Sequence, residues 1–358
     1  MSQAVTPIAY VSRPDVLVKG QANAGMSRDL VAAVVEATSD GLYRAEMILT
    51  NYGLSSGNDY GYLYLGRDVL DFGDEVELRM GFGNPPATVF TGRVTALEGE
   101  YPEGGGGRLV VLMEDRLQDL RMTRRTRSFE DASDANVIEE IARAHGLTPD
   151  VTLDGPTHKS LAQVNQSDLA FIRERARACA GEVWVEGATL KVKPRPDRSG
   201  DLIEMGFGGR LIAFGAADLA HQCTSFAVNG WDIAGKTAIQ ETSGADVIAA
   251  ELDGDTGGSA ILQQKFGERV ASIVHSVPLN NQEATRVAKS RYLERARQFV
   301  TGSGQCDGDA RIRVGTKLRL TGLGAMFNGK WTVVHVRHTF TLDQGFRTAF
   351  DVARPGIG

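Results

Sequence analysis

Two distant stretches of the chain carry the same order of strand-like segments. Beginning at Gly73 the sequence reads GDEVELRM, then FTGRVTAL, then RLVVLMED; beginning at Gly315 it reads GTKLRLTG, then FNGKWTVV, then RTAFDVAR. In each, a glycine opens a segment of alternating apolar and polar residues, a short loop leads to Phe-x-Gly-x-apolar, and an arginine begins a last segment. Alternation at period two marks a strand with one buried face. The chain is therefore expected to hold two copies of an antiparallel β unit. Its length of 358 residues agrees, since a single core usually stops growing below that size.

Residues 1–115 read as a first β-barrel. Segments such as Tyr43–Leu49 and Val76–Met80 alternate, and the turn signals Asn51-Tyr-Gly53, Gly81-Phe-Gly83-Asn84-Pro85-Pro86 and Gly104 to Gly107 fall between them. Residues 116–200 read as a small α/β insert. Ser133-Asp134 is placed to cap a helix bearing Val137, Ile138 and Ile141 and stopped by Gly146. A second helix is expected from about Ser167 to Gly181, with Asp168 in its first turn and Leu169, Ile172 and Ala176 on one face; Val183–Val185 and Thr189–Val192 are strand-like. Residues 201–235 start a second β-barrel, and 236–300 form a mixed insert with one helix over about Asn281–Gln298, where Ala284, Val287, Ala288 and Tyr292 recur at helical intervals. Residues 301–358 complete the second barrel. The expected fold is α+β, mainly β: two related antiparallel β-barrels, each interrupted or followed by a small α/β insert.

Charge and composition remove several function classes. A formal charge of -6 over 39 basic and 45 acidic residues gives no polycationic field for nucleic acid or an anionic membrane. Cys179, Cys223 and Cys306 are odd in number, far apart and without CxxC spacing, so they read as buried thiols and not as a disulfide framework or zinc knuckle. The N-terminal MSQAVTPIAYVSRPDV lacks a basic n-region and apolar h-region, and no run approaches the about 18–20 apolar residues of a membrane span. Synthesis and folding in the cytoplasm are expected.

Motifs suggestive of chemistry read better as structure. His335 and His338 sit three apart in an expected strand, which puts them on opposite faces and disfavours a shared metal. Asp253-Gly-Asp255-Thr-Gly257 begins like a calcium loop, but its fifth position is Gly and its twelfth is Gln264, so a polar turn is expected. Gly81-Phe-Gly83 and Gly206-Phe-Gly208 lack the helix of a dinucleotide fingerprint, and Gly302-Ser303-Gly304 is too short for a nucleophile elbow. Neither a nucleophile with a nearby base nor a recognisable carboxylate pair stands out, so no enzyme, cofactor or metal site is expected. Arg121, Arg124, Arg125 and Arg127 form the densest charge cluster, at the passage from the first barrel to its insert. Glu114 and Asp115 just upstream are possible partners, and carboxylates of a neighbouring subunit are another source, which makes the four arginines candidates for an inter-subunit interface.

The combination resembles the phage late control D proteins and the base region of VgrG proteins, the hub family of contractile tails. The carriers are Arg127-Ser-Phe129, Asp134-Ala-Asn-Val-Ile138 and its helix, Gln166-Ser-Asp-Leu-Ala-Phe171-Ile172 leading to Gly181-Glu-Val-Trp184, then Gly315-Thr-Lys-Leu318, Phe327-Asn-Gly329-Lys-Trp331, Val336-Arg-His338-Thr-Phe340 and Gly345-Phe-Arg-Thr348-Ala-Phe350, in order over roughly residues 20–354. Gly315, Phe327, Gly329, Trp331, His338, Phe340 and Thr348 are the family-like barrel positions. Residues 240–266 have no counterpart. VgrG chains usually continue into a further barrel and a needle, whereas this sequence ends at Gly358, so the spike is expected to be a separate polypeptide.

The resemblance implies a structural, non-enzymatic role: a homotrimeric baseplate hub whose six quasi-equivalent barrels join a hexameric tail tube to a trimeric spike. Implied partners are the spike, the tube protein, other baseplate components, and a tape-measure protein or effector in the lumen. The assembled particle is a virion, a released particle or one kept in the cytoplasm. A cell-wall-degrading or carbohydrate-binding tail component is the alternative.

Overall fold

Alternation in the sequence becomes burial in the structure. In Arg44–Thr50 the side chains of Ala45, Met47 and Leu49 are buried, and in Glu75–Met80 those of Val76, Leu78 and Met80. The structure, a computed structural model, describes residues 13–54, 59–198, 200–217, 221–232, 235–273, 278 and 280–358. The first twelve residues of the expected first barrel lie outside the described residues.

The first β unit comprises β1 (Asp15–Val18), β2 (Gln21–Ala22), α1 (Ala24–Asp29), β3 (Leu30–Thr38), β4 (Arg44–Thr50), β5 (Tyr52–Leu54), β6 (Tyr60–Tyr62), β7 (Glu75–Met80), β8 (Ala87–Glu100) and β9 (Arg108–Glu114). A first insert follows with α2 (Leu117–Arg121), β10 (Arg124–Ser133), α3 (Asp134–Ala144), β11 (Thr148–Val151), β12 (Thr157–Ser167), α4 (Asp168–Ala178), β13 (Gly181–Glu186) and β14 (Thr189–Pro194). The second β unit opens with β15 (Leu202–Gly206) and β16 (Leu211–Ala217). It is interrupted by β17 (Ser225–Asp232), β18 (Thr237–Gly244), a 3-10 turn, β19 (Thr256–Gly257), α5 (Gly258–Phe266), β20 (Val270–Ile273) and α6 (Asn281–Ala296), and closes with β21 (Val300–Asp307), β22 (Lys317–Thr321), β23 (Gly329–Thr341), β24 (Gly345–Arg354) and β25 (Gly356–Ile357).

This is the mainly β, α+β fold expected from the sequence. Each β unit and each insert has its own apolar core: Met47, Leu78 and Val111 lie in the first unit, Leu318, Trp331 and Phe350 in the second, Ile138 and Ile172 in the first insert, and Val228 and Tyr292 in the second. The strand at Ser225–Asp232, counted with the second barrel in the sequence, pairs with β18 and β20 in the sheet of the second insert. Alternation identifies a strand but not its partner.

The two β units repeat one another in detail. The neighbours β7–β8–β9–β4–β3 recur as β22–β23–β24–β21–β16, every pair antiparallel and in the same chain order. Both carry a β-bulge at the same place in the long strand, at Val94/Ala96 and Val333/His335, and another in the strand three places further on, at Leu30/Ala32 and Leu211/Ala213. The opening glycines match as well. Gly73 N–H donates to Val94 O at 2.8 Å and Val94 N–H to Asp74 O at 3.0 Å; Gly315 N–H donates to Val333 O and Val333 N–H to Thr316 O, both at 2.9 Å. The outermost strands differ, because β1 runs antiparallel to β7 while β15 runs parallel to β22.

The register corrects one expectation. Val76 pairs with Gly92 and Leu318 with Trp331, so Gly92 corresponds to Trp331, and the shared Phe-x-Gly motif is displaced by two residues. A slip of two leaves every side chain on its own face, so alternation could not reveal it. The units also join edge to edge: Ala32–Thr38 of β3 pairs antiparallel with His335–Thr341 of β23, making one thirteen-stranded sheet.

Gly315 has a stricter environment than its counterpart. Both glycines adopt a left-handed backbone, φ +92 at Gly315 and +80 at Gly73. A Cβ at Gly315 would stand 2.7 Å from the Arg198 carbonyl oxygen, whereas one at Gly73 would meet nothing within 4 Å. Gly73→Ala is therefore expected to cost only the backbone strain, about 1 kcal/mol, and Gly315→Ala distinctly more, about 2–3 kcal/mol. Urea midpoints of the two variants check this; equal losses would show that Arg198 does not confine the turn.

Candidate functional site

The four arginines of the sequence cluster are spread over α2 and the first half of β10, and the structure accounts for them one at a time. Arg121 donates to Glu114 at 2.7 Å, as the upstream position of that carboxylate suggested. Arg125 and Arg127 both reach Asp168, at 3.2 and 2.7 Å. Arg127 also donates to Gln163 Oε1 at 2.8 Å and lies 4.9 Å from the Phe129 ring centroid. Arg124 donates to the Asn165 carbonyl at 3.0 Å and has no carboxylate among the described residues. Carboxylates for three of the four come from within the chain, so like-charge repulsion does not require a second subunit to relieve it. Asp115 is not a partner: it accepts the backbone N–H of Tyr43 and Leu117, both at 2.9 Å, and burial pushes its carboxyl up to about 6.

Asp168 is the centre of this network because of where it sits. It is the first residue of α4, where the helix N-terminus favours negative charge, and its side chain is buried. Besides the two arginines it receives His145 Nε2 at 2.8 Å and Gln163 Nε2 at 2.9 Å. Burial alone would raise its carboxyl, but the hydrogen bonds from Gln163 and His145 and the charges around it outweigh that and hold it below the usual carboxylate range.

Asp134 has the same place in α3, accepting from Arg175 and, at 3.2 Å, from His158, with Cys179 Sγ at 3.5 Å. The likeness is an internal repeat that the sequence reading missed. Ser133-Asp134 to Gly146 matches Ser167-Asp168 to Ala180, with identity at Ser133/Ser167, Asp134/Asp168, Ile138/Ile172, Glu140/Glu174, Ala142/Ala176, Arg143/Arg177 and Ala144/Ala178. Both serines cap by accepting a backbone N–H, from Asn136 and Ala170. A positive φ precedes each cap, at Asp131 and Asn165, and another follows each helix, at Gly146 and Ala180. Strands β10 and β12 pair antiparallel, so each helix offers its buried aspartate to the end of the other: Asp168 to His145 and Asp134 to Cys179, which are equivalent positions. Comparing the two Ser-Asp helix starts with each other would have found the repeat.

The family-like positions gather in the second β unit. Trp331 is fully buried, donates Nε1–H to Phe327 O at 3.1 Å, and has the Arg354 guanidinium 5.2 Å above its ring. Gly329 has φ +137, and a Cβ there would meet that guanidinium at 2.8 Å. Arg354 in turn binds Asp255, and Lys330 binds Asp253 at 2.7 Å, so the two acids of the calcium-like loop are held by cations in a turn. Phe340, Thr348 and His338 are buried together at the seam of the two units. His338 pairs across the sheet with Thr348 on one side and Val35 on the other, and its Nδ1 lies 3.0 Å from Thr348 Oγ1, which accepts the Asp309 N–H. His335 stands on the opposite face, between Asp351 at 2.9 Å and Glu36 at 3.0 Å. Among the described residues no three His, Cys, Asp or Glu side chains are grouped to hold a metal ion.

Two predictions follow from this geometry. Asp168→Asn leaves Arg125 and Arg127 facing a neutral amide and is expected to cost about 2–3 kcal/mol, while Arg124→Ala stays within about 0.5 kcal/mol. Thermal unfolding of both variants decides it; similar small losses would make the network incidental. Burial lowers His338 from 6.5 to about 4, so the unfolded chain binds a proton there that the folded chain refuses. Its contribution is intact above pH 6.5 and is lost as pH falls toward 4, by at most about 3 kcal/mol. Asp115 acts oppositely over part of that range, so the measurement is a difference: His338→Gln should lose less stability than the wild type between pH 7 and 4.5. An unchanged slope would contradict a buried neutral imidazole.

No curated protein sequence matches the chain. Among solved structures it is similar to the 43 kDa tail protein of prophage MuSo2 from Shewanella oneidensis, with TM-score 0.71 and 11% identity over 96% of this chain and 98% of that one. The tail protein from Neisseria meningitidis MC58 matches with TM-score 0.66 and 10% identity, over 96% and 97% of the two chains. An E. coli component of the type VI secretion system matches with TM-score 0.62 and 10% identity, over 95% of this chain and 76% of its own. These likenesses establish a shared fold. Residues 15–341 match the family described as the Alg8 N-terminal domain, and the chain belongs to that family.

Proposed function

We propose that the chain is the structural hub of a contractile phage tail or injection particle, a homotrimer that joins a hexameric tail tube to a trimeric spike. The observation that carries this reading is the duplicated β unit: one chain supplies two units of the same strand order, register and bulges. Three copies then offer six quasi-equivalent units to a sixfold tube while remaining threefold toward the spike. The shared fold with prophage tail proteins and a type VI secretion component supports it. Its work is mechanical and electrostatic, and we assign no catalysis to it. Tube, spike and other baseplate proteins are separate partners, and the ring encloses a lumen suited to a tape-measure protein or an effector. Assembly follows cytoplasmic synthesis and places the chain in the particle.

Arg124 is the member of the arginine cluster that we carry forward to an interface. Its side chain is exposed and lacks a carboxylate among the described residues, so a partner can supply one without breaking an ion pair inside the chain. Arg124→Glu is expected to leave soluble yield unchanged and to lower the number of complete tails counted by electron microscopy several-fold; wild-type counts would remove Arg124 from the interface. For the hub as a whole, native mass spectrometry of the chain with its spike should give three copies. A stable one- or two-copy complex with the spike bound would end the symmetry-adapter reading.

A further inference from the structure

The chain holds one complete copy of a junction between β units and, at the C-terminal end of β8 and at β16, the separate halves of a second. In the complete copy, β23 pairs with β22 over Gly329–Thr332, and further along the same edge with β3 over His335–Thr341. Its counterpart β8 pairs with β7 over Ala87–Arg93 and then continues to Glu100 with nothing on that edge among the described residues. The counterpart of β3 is β16, which is held by β21 on one side and on the other has, among the described residues, only an isolated bridge from Phe207 to Leu211. The end of β8 is exposed at Glu98, Gly99 and Glu100, and Tyr101 follows with 63% of its surface open. Unpaired edges of this length are normally covered, because free N–H and C=O groups invite another strand.

We infer that copies of the chain join head to tail by antiparallel pairing of the β8 end of one copy with β16 of the next, in the register of the internal junction. The inference deepens the hub reading and rests on it only for the number of copies. The shared bulges fix the correspondence. Val333 and His335 match Val94 and Ala96, while Leu30 and Ala32 match Leu211 and Ala213. Within the chain Arg337 pairs with Glu36, His338 with Val35, Thr339 with Val34 and Phe340 with Ala33. Carried across, Glu98 pairs with Ala217, Gly99 with Ala216, Glu100 with Gly215 and Tyr101 with Phe214 of the next copy. Each copy then contributes both strands of a heterologous contact, and an identical contact repeated around an axis closes a ring. The ring has alternating internal and intermolecular junctions of one design. Negative side chains at Glu98 and Glu100 face Ala217 and Gly215, so no like charges oppose one another in register.

Paired cysteines test the register. In antiparallel strands, successive pairs alternate between hydrogen-bonded and close non-hydrogen-bonded geometry, so of two consecutive pairs one suits a disulfide. The variants are Glu98→Cys with Ala217→Cys and Gly99→Cys with Ala216→Cys; Glu98→Cys with Gly215→Cys is the same-face control two residues out of register, and the chain with its three native thiols is the blank. After copper-phenanthroline oxidation, non-reducing gels are expected to show covalent oligomers from one in-register pair at about ten-fold the yield of the control. On the unmodified chain, amide hydrogen exchange should slow at 95–101 and 211–217 together when copies associate. Trimers by native mass spectrometry without in-register cross-links or protection at both edges would overturn the pairing and leave the hub reading standing. Failure of the chain to associate even with its spike would end both.

Discussion

The arrangement of the whole molecule depends on the backbone ladder between Ala32–Thr38 and His335–Thr341. It fixes two β units as neighbours in one sheet, although the strands that meet come from opposite ends of the chain. Buried groups lock it from one face, where Phe340 is enclosed and His338 is bonded to Thr348. A polar bridge spans it on the other, where His335 reaches Asp351 of β24 and Glu36 of β3. A slip of one residue would bring His335 to the buried face and Phe340 to solvent, so this register is strongly specified.

The inserts are stapled to that sheet by cations whose partners lie in different parts of the chain. Arg198 donates to Glu182 at 3.0 Å and to the Tyr43 hydroxyl at 2.8 Å, and lies 4.6 Å from the Trp184 ring centroid, tying the first insert to the first β unit. Its carbonyl confines Gly315 at the start of the second. Arg354 performs a similar task between β24, the Asn328 carbonyl and Asp255. Such buried pairs are costly to break from one side, so they hold the inserts in a fixed position against the sheet.

Much of this was legible in the residues. Strand alternation, the serine cap at Ser133, the helix start near Ser167 and the helical spacing of Ala284, Ala288 and Tyr292 were read with nearly the right limits, because each is a local signal with a local cause. The likeness of the Gly73 and Gly315 stretches was also readable, though its motif match was displaced by two, since period two hides even slips. What was not legible was non-local. Nothing in Arg125 or Arg127 announces Asp168, which is brought near only when β12 pairs with β10. Asp115 looked like a partner for the arginines and is a backbone cap in the core. The strand at Ser225–Asp232 looked like its neighbours in sequence and belongs to another sheet. Pairing is decided by which edges are free after the local elements form, and a single sequence does not state that.

The central proposal is that the two β units are equivalent parts of one ring, and a cryo-electron-microscopy map of the chain assembled with the proposed spike tests it most directly. The account predicts three chains whose six β units lie at one radius and in one orientation about the axis, so that a rotation of about 60° superposes the first unit of a chain on the second. A map in which the two units lie at different radii or face different ways would contradict it, however many copies the ring contains.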